Sequence, residues 1–149
     1  MKNSKNTIKG LFVAVLGMAL MVSCGKYKQY DNNEVIDNTF SGNVLVTSTG
    51  SDPAGDFTGD GDSGTYSFVW DNSGKTASLN FDITSPTGTV QFIMNDKKGD
   101  EVLNQTITAG SGEDTYAGVS SEGKSGKWLV TMILTDFSGD GSYSINPRD

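Results

Sequence analysis

From Ala77 to Thr84 the chain alternates without a miss. Ala77, Leu79, Phe81 and Ile83 are apolar, and Ser78, Asn80, Asp82 and Thr84 are polar. Successive side chains of a strand point to opposite faces, so this period of two sets four apolar groups against a core and four polar ones in water. No segment carries a helical period of useful length, which makes β structure the expectation for the whole body of the chain.

The flanking segments fit the same reading. Phe40, Val44 and Val46 share one parity and predict a first strand reaching about Thr49. Gly50 to Gly64, rich in glycine and aspartate, reads as a long loop. Tyr66, Phe68 and Trp70 make a second strand, and Asp71-Asn72-Ser73-Gly74 is turn chemistry. Beyond the alternating stretch, Ser85-Pro86-Thr87-Gly88 reads as a turn, Val90, Phe92 and Met94 as a strand, and Asn95 to Asp100 as a charged hairpin connection. Val102 to Thr108 and Thr115 to Val119 follow as strands, and Gly123 to Lys127 turns the chain again. Trp128 to Leu134 is apolar on both parities and predicts a central strand covered on both faces. Tyr143-Ser144-Ile145 closes the body. Turn signals recur at roughly 8–12 residues, so the fold class is all-β: a single antiparallel β-sandwich, jelly-roll-like, of about 7–9 strands over residues 39–149.

The start of the chain is of another kind. Lys2, Lys5 and Lys9 precede an uncharged run from Gly10 to Val22, shorter than the roughly 20 apolar residues that span a bilayer. A basic start, a short apolar middle and small residues at its end make a secretory signal peptide. It closes on Met21-Val22-Ser23-Cys24, and Cys24 is the one cysteine in 149 residues, so no internal disulfide is available. This ending resembles the bacterial lipoprotein signal, or lipobox, with Met21 where that family prefers leucine. The resemblance implies that residues 1–23 are removed as a signal peptide, that the Cys24 thiol carries diacylglycerol, and that the new amino terminus is N-acylated. Several acyl chains anchor a protein far more firmly than one. The expected location is the cell envelope, lipid-anchored, at the outer membrane, with the side left open. Gly25 to Asn38 is polar, so residues 24–38 read as the lipidated cysteine and a flexible tether.

Charge and composition exclude several functions. Without Lys2, Lys5 and Lys9 the chain keeps 8 basic residues against 18 acidic, a net charge of −10, which argues against nucleic acid and, taken over the whole chain, against electrostatic docking on anionic lipid. There is no histidine, which excludes Ser-His-Asp and Cys-His catalysis and His-ligated zinc. The pairs Asp100-Glu101 and Glu113-Asp114 are adjacent and would point to opposite faces of a strand, a poor start for a glycosidase pair. The expectation is a non-enzyme.

Several segments together resemble a second family, the bacterial pre-peptidase C-terminal-like β-sandwich. They are Asp62-Ser63-Gly64-Thr65-Tyr66-Ser67-Phe68, Asn95-Asp96-Lys97-Lys98-Gly99, Gly126-Lys127-Trp128-Leu129-Val130 and a Ser138-Gly139-Asp140-Gly141-Ser142-Tyr143 turn leading to Ser144-Ile145. The resemblance implies a small non-catalytic jelly roll, often accessory to secreted enzymes and sometimes stabilised by calcium.

Two candidate sites remain. Asp56-Phe57-Thr58-Gly59-Asp60-Gly61 recurs as Asp136-Phe137-Ser138-Gly139-Asp140-Gly141. The oxygens of Asp56, Thr58, Asp60 and Asp62 resemble the first half of an EF-hand or dockerin loop, with Asp136 and Asp140 in the second copy, and imply a Ca2+ site. Ser67 stands at the twelfth position, where such loops place a bidentate acid. The alternative is a pair of glycine-rich turns. Trp70 and Trp128 could stack on sugar rings, but their register with Phe68 and Val130 favours the core. The resulting expectation is a membrane-anchored binding or accessory module for a glycan or envelope protein partner. The alternatives are a purely structural, calcium-stabilised envelope lipoprotein and, third, a carboxylate-based hydrolase.

Overall fold

The structure, a computed structural model, describes residues 30–111 and 114–149. Cys24, the apolar run before it and Glu113 lie outside the described residues. Among the described residues there are seven antiparallel strands: β1 (Val35–Asn38), β2 (Asn43–Ser48), β3 (Ala54–Asn72), β4 (Thr76–Asn95), β5 (Glu101–Thr108), β6 (Thr115–Val119) and β7 (Gly126–Arg148). Three of them, β3, β4 and β7, run for 19, 20 and 23 residues, several times the usual strand of about 5–6. β7 lies between β3 and β4 along its whole length, in the central place that Trp128–Leu134 predicts.

Each long strand changes direction midway, which divides the sheet into two leaves. In the first leaf, residues 54–60, 138–148 and 76–84 lie side by side, with β2 on one edge and β6 on the other. In the second, residues 64–72, 126–135 and 87–95 are flanked by β1 and β5. The leaves close face to face. Phe81 and Tyr143 from the first meet Phe92 and Phe68 from the second, with ring centroids 4.7 Å apart for Phe81–Phe92, 5.6 Å for Phe92–Tyr143 and 6.2 Å for Phe68–Tyr143. The all-β sandwich is thus one sheet folded over a single core.

Trp70 and Trp128 belong to that core. They are 0% and 1% exposed and meet edge-to-face at 5.8 Å. Their indole N–H groups donate to the Ser51 carbonyl at 3.0 Å and the Lys124 carbonyl at 2.8 Å. Burial with a satisfied N–H is the stable state of an indole, and it leaves neither ring free as a sugar platform.

The creases fall where the sequence offered turns. Register slips between Asp60 and Gly64 on β3 and between Thr84 and Thr89 on β4, and Asp136 of β7 sits at a left-handed φ of 47°. The expected loop at Gly50–Gly64 is therefore a strand from Ala54 onward. The expected turn at Ser85–Gly88 is a bend within a continuing ladder, and the one expected at Ser138–Tyr143 is regular strand paired residue by residue with Gly55–Asp60, the bend of β7 falling before it at Asp136. Residues that permit a reversal also permit a fold in the sheet. Here the long ladders of β7 with both neighbours keep the chain extended. At Gly88, φ is +95° and an added Cβ would stand 2.5 Å from the Asp136 carbonyl oxygen. The creases are also tied to one another: the Asp136 N–H donates to Ser63 Oγ at 2.8 Å, and Thr87 Oγ1 donates to the Asp136 carbonyl at 3.5 Å.

The twin motifs face each other across the first leaf. Phe57 stands opposite Gly141, Gly59 opposite Gly139, and Asp62 opposite Phe137. The Phe57 ring covers Gly141, where a Cβ would collide with it, and Phe137 lies over Gly59. The two rings touch at 5.3 Å. Tyr143 covers Gly55 in the same manner.

Two further expectations change. The tether predicted over 24–38 loses its end to β1, because Val35 to Asn38 pair with Tyr66 to Phe68 and the Asn33 N–H donates to the Val69 carbonyl at 2.6 Å. The Trp128–Leu134 segment is fully covered on only one face: Trp128, Val130, Met132 and Leu134 are buried, whereas Leu129 and Ile133, on the other, are half-buried.

The ring-over-glycine pairing carries a stability prediction. Gly141→Ala should lower stability by about 1–3 kcal/mol through overpacking, and Phe137→Ala by about 3–5 kcal/mol through the cavity it leaves. Urea unfolding followed by tryptophan fluorescence measures both.

Candidate functional site

The outer face of the first leaf is built by alternation. Odd positions of β3, β4 and β7 turn into the core and even positions turn out. Strand pairing sets the outward residues in rows: Thr58, Asp140 and Thr84; then Asp56, Ser142, Asp82 and Thr115; then Ala54, Ser144, Asn80 and Ala117; then Asn146, Ser78 and Val119. Neighbours stand about 4.8 Å apart across the strands and about 6.8 Å apart along them.

Three hollows lie along this face, of about 270, 440 and 490 Å³. The first two share Asp82 and Ser142, and the second and third share Asn80 and Ala117. They form one open furrow lined by amides, hydroxyls and carboxylates, with Val119 and Arg148 at its far end from the carboxylates. Its floor is rigid, since Tyr116 packs beneath on Phe81 at 5.6 Å and Leu79, Phe81, Tyr143 and Ile145 are buried under it. Ser142 donates to Asp82 Oδ1 at 2.6 Å. Asp56, Asp82 and Asp140 are exposed. A general acid is usually made by burying a carboxyl, so these groups are better suited to accepting hydrogen bonds.

The residues singled out as a calcium loop do not converge. Asp56, Thr58 and Asp60 share the wet face of one extended strand, and at about 3.3 Å per residue the stretch from Asp56 to Asp60 covers about 13 Å. An ion-binding loop must instead wrap its oxygens around one point. Asp62 is taken up at the crease, accepting from the Asp60 N–H at 2.8 Å and from Ser41 Oγ of the β1–β2 connection at 2.7 Å, and these bonds hold its carboxyl below the ordinary value. Asp136 is occupied at the crease with Ser63. Asp140 faces Thr58 across the ladder. Among the described residues, no group of three or more His, Cys, Asp or Glu side chains is placed to hold a metal ion. The alternating oxygens that suggested a loop are the period of a strand. Asp100 and Glu101 lie exposed where β5 begins.

One carboxylate with a structural task escaped notice in the sequence. Asp96 is buried in the β4–β5 connection. It accepts backbone N–H bonds from Lys124 at 2.7 Å, Lys98 at 2.8 Å and Asp100 at 3.1 Å, fastening the segment before β7 to the hairpin. The Lys124 bond is foremost in holding its carboxyl below the ordinary value of 3.8. Burial also pushes the Tyr143 hydroxyl upward, so that ring stays neutral within the core.

No protein-family model matches the chain, and no curated protein matches it. Solved structures are similar to it in part. TmCBM61, determined in complex with β-1,4-galactotriose, superimposes with a TM-score of 0.46 at 13% identity, over 64% of this chain and 71% of its own. A CBM4 structure gives 0.44 at 12% identity, over 70% and 78%. The carbohydrate-binding module CBM6cm-2 of Cellvibrio mixtus lichenase 5A, in complex with cellotriose, gives 0.38 at 15% identity, over 80% and 93%.

Two outcomes are expected. A chelator should leave the thermal midpoint unchanged, because the twin motifs are held by ring packing and main-chain pairing; scanning calorimetry with and without chelator checks this. Asp96→Asn should lower the midpoint at neutral pH. Since the folded pKa of Asp96 lies below the unfolded one, its stabilisation is present above about pH 3.8 and is lost as pH falls through the folded value. The gap between wild type and variant should therefore narrow in midpoints measured below that pH.

Proposed function

We propose that this chain is a non-catalytic lipoprotein of the cell envelope, acylated at Cys24, whose sandwich binds a neutral glycan along the furrow of the first leaf. The furrow carries the reading. A glycan chain repeats hydroxyl groups along its length, and the outward rows repeat amides, hydroxyls and carboxylates along a rigid ladder. Asn80 and Asn146 both donate and accept, whereas Asp56, Asp82 and Asp140 only accept, which matches sugar hydroxyls. The same three carboxylates would repel uronic acids, so the glycan class is uncharged. A sheet that is already rigid loses little conformational freedom on binding. The lipobox resemblance at Met21-Val22-Ser23-Cys24 supports the anchor.

Glycan-array screening of the intact protein, followed by titration calorimetry, tests the binding reading. Asn80→Ala and Asp82→Ala should each weaken a neutral oligosaccharide about tenfold, about 1.4 kcal/mol, with the melting temperature unchanged. Failure to bind any neutral glycan, or affinity indifferent to both substitutions, would overturn it. Intact mass of the membrane-extracted protein should begin at Cys24 and include the acyl chains.

A further inference from the structure

The outer face of the second leaf is of a different character. Ile36, Val69 and Leu129 floor a hollow of about 490 Å³, with Tyr30 at its side. Three cations, Lys97, Lys98 and Lys127, stand around it. That is three of the 8 basic residues which remain beside 18 acidic ones when the signal lysines are gone. The stem of Lys97 lies over Gly126, bringing it beside Lys127. Of the nearby acids, Asp96 is consumed by three N–H groups, Asp71 faces Lys127 in register, Asp100 follows Lys97 and Lys98 in the same hairpin, and Asp31, Glu34 and Asp37 flank the β1 side. Val35 and Ile36 are 45% and 39% exposed at the same edge.

The position of this hollow along the chain matters as much as its chemistry. Tyr30 follows Cys24 by six residues, a span of about 20 Å at full extension. Lys26 and Lys28 lie within those six. Whatever Cys24 is fixed to, the hollow can be no farther from it than that leash allows.

We propose that the second leaf rests on the anionic lipid headgroups of the membrane holding Cys24. Lys97, Lys98 and Lys127 meet the phosphates, and Tyr30 and Ile36 sit at the interfacial level that aromatic and apolar groups favour. The leaves close face to face, so their outer surfaces point in opposite directions, and seating the second on the bilayer turns the furrow of the first away from the lipid. This inference rests on acylation at Cys24.

The test uses the acylated protein reconstituted into phosphatidylcholine vesicles with and without phosphatidylglycerol. Amine-labelling rates at each lysine are read by mass spectrometry, with Lys75, which pairs with Glu122 at 3.5 Å, as the internal reference. Lys97, Lys98 and Lys127 should label severalfold more slowly on the anionic vesicles. The difference should fade as salt shortens the screening length below about 10 Å. Equal labelling on both vesicles, in protein whose mass includes the acyl chains, would overturn the seating and leave the anchor standing. A mass without lipid would overturn both. Protection that follows protein density and ignores lipid charge would assign the face to a second copy of the chain and overturn the seating.

Discussion

The fold depends on a crease that must bend three adjacent strands without breaking their ladders. The twin motifs solve this by pairing with each other. Each supplies a phenylalanine whose ring occupies space left by a glycine of the other copy, Phe57 over Gly141 and Phe137 over Gly59. The glycines thin the inner face where the leaves converge, and the rings restore the apolar contact that a bare backbone would forfeit. Ser63, Thr87 and Asp136 then bind the three bends together with polar groups at the crease. The internal repeat is thus a packing device, in which each copy completes its partner.

This explains why part of the architecture was legible in sequence and part was not. Ala77–Thr84 announces its inner and outer faces, because one side of it is dry and the other wet. Trp128–Leu134 announces its central place, and the register of Trp70 and Trp128 with Phe68 and Val130 announces their burial. What misled was local chemistry shared by two structures. Gly, Asp and Ser at Gly50–Gly64 and Ser85–Gly88 suit a reversal and suit a bulge equally, and only the long partner strand β7 decides between them. The oxygens of Asp56, Thr58 and Asp60 recur at every second residue, which a coordinating loop and a strand share. The furrow was readable in part, since Asn80 and Asp82 sit at the polar parity of the clearest strand. Its partners Ser142 and Asn146 were hidden, because they enter through pairings some sixty residues away along the chain. The Asp96 clasp was hidden for the same reason: its donor at Lys124 lies beyond β5 and β6.

The two leaves share one core yet meet water on different terms. In the first, every outward position of the three long strands is polar or small, as a sheet with one solvated face requires. In the second, the inward residues Trp128, Val130, Met132 and Leu134 fill the core, yet the outward parity keeps Leu129 and Ile133, with Val69 and Ile93 beside them on neighbouring strands. An isolated apolar side chain at the surface is ordinary. Here Val69 is buried and Leu129, Ile133 and Ile93 are half-buried, whereas on the first leaf the apolar side chains that meet water, Leu45 and Val119, stand on the edge strands β2 and β6. The strand pattern that first suggested cover on both faces is therefore fully satisfied, among the described residues, on one side only.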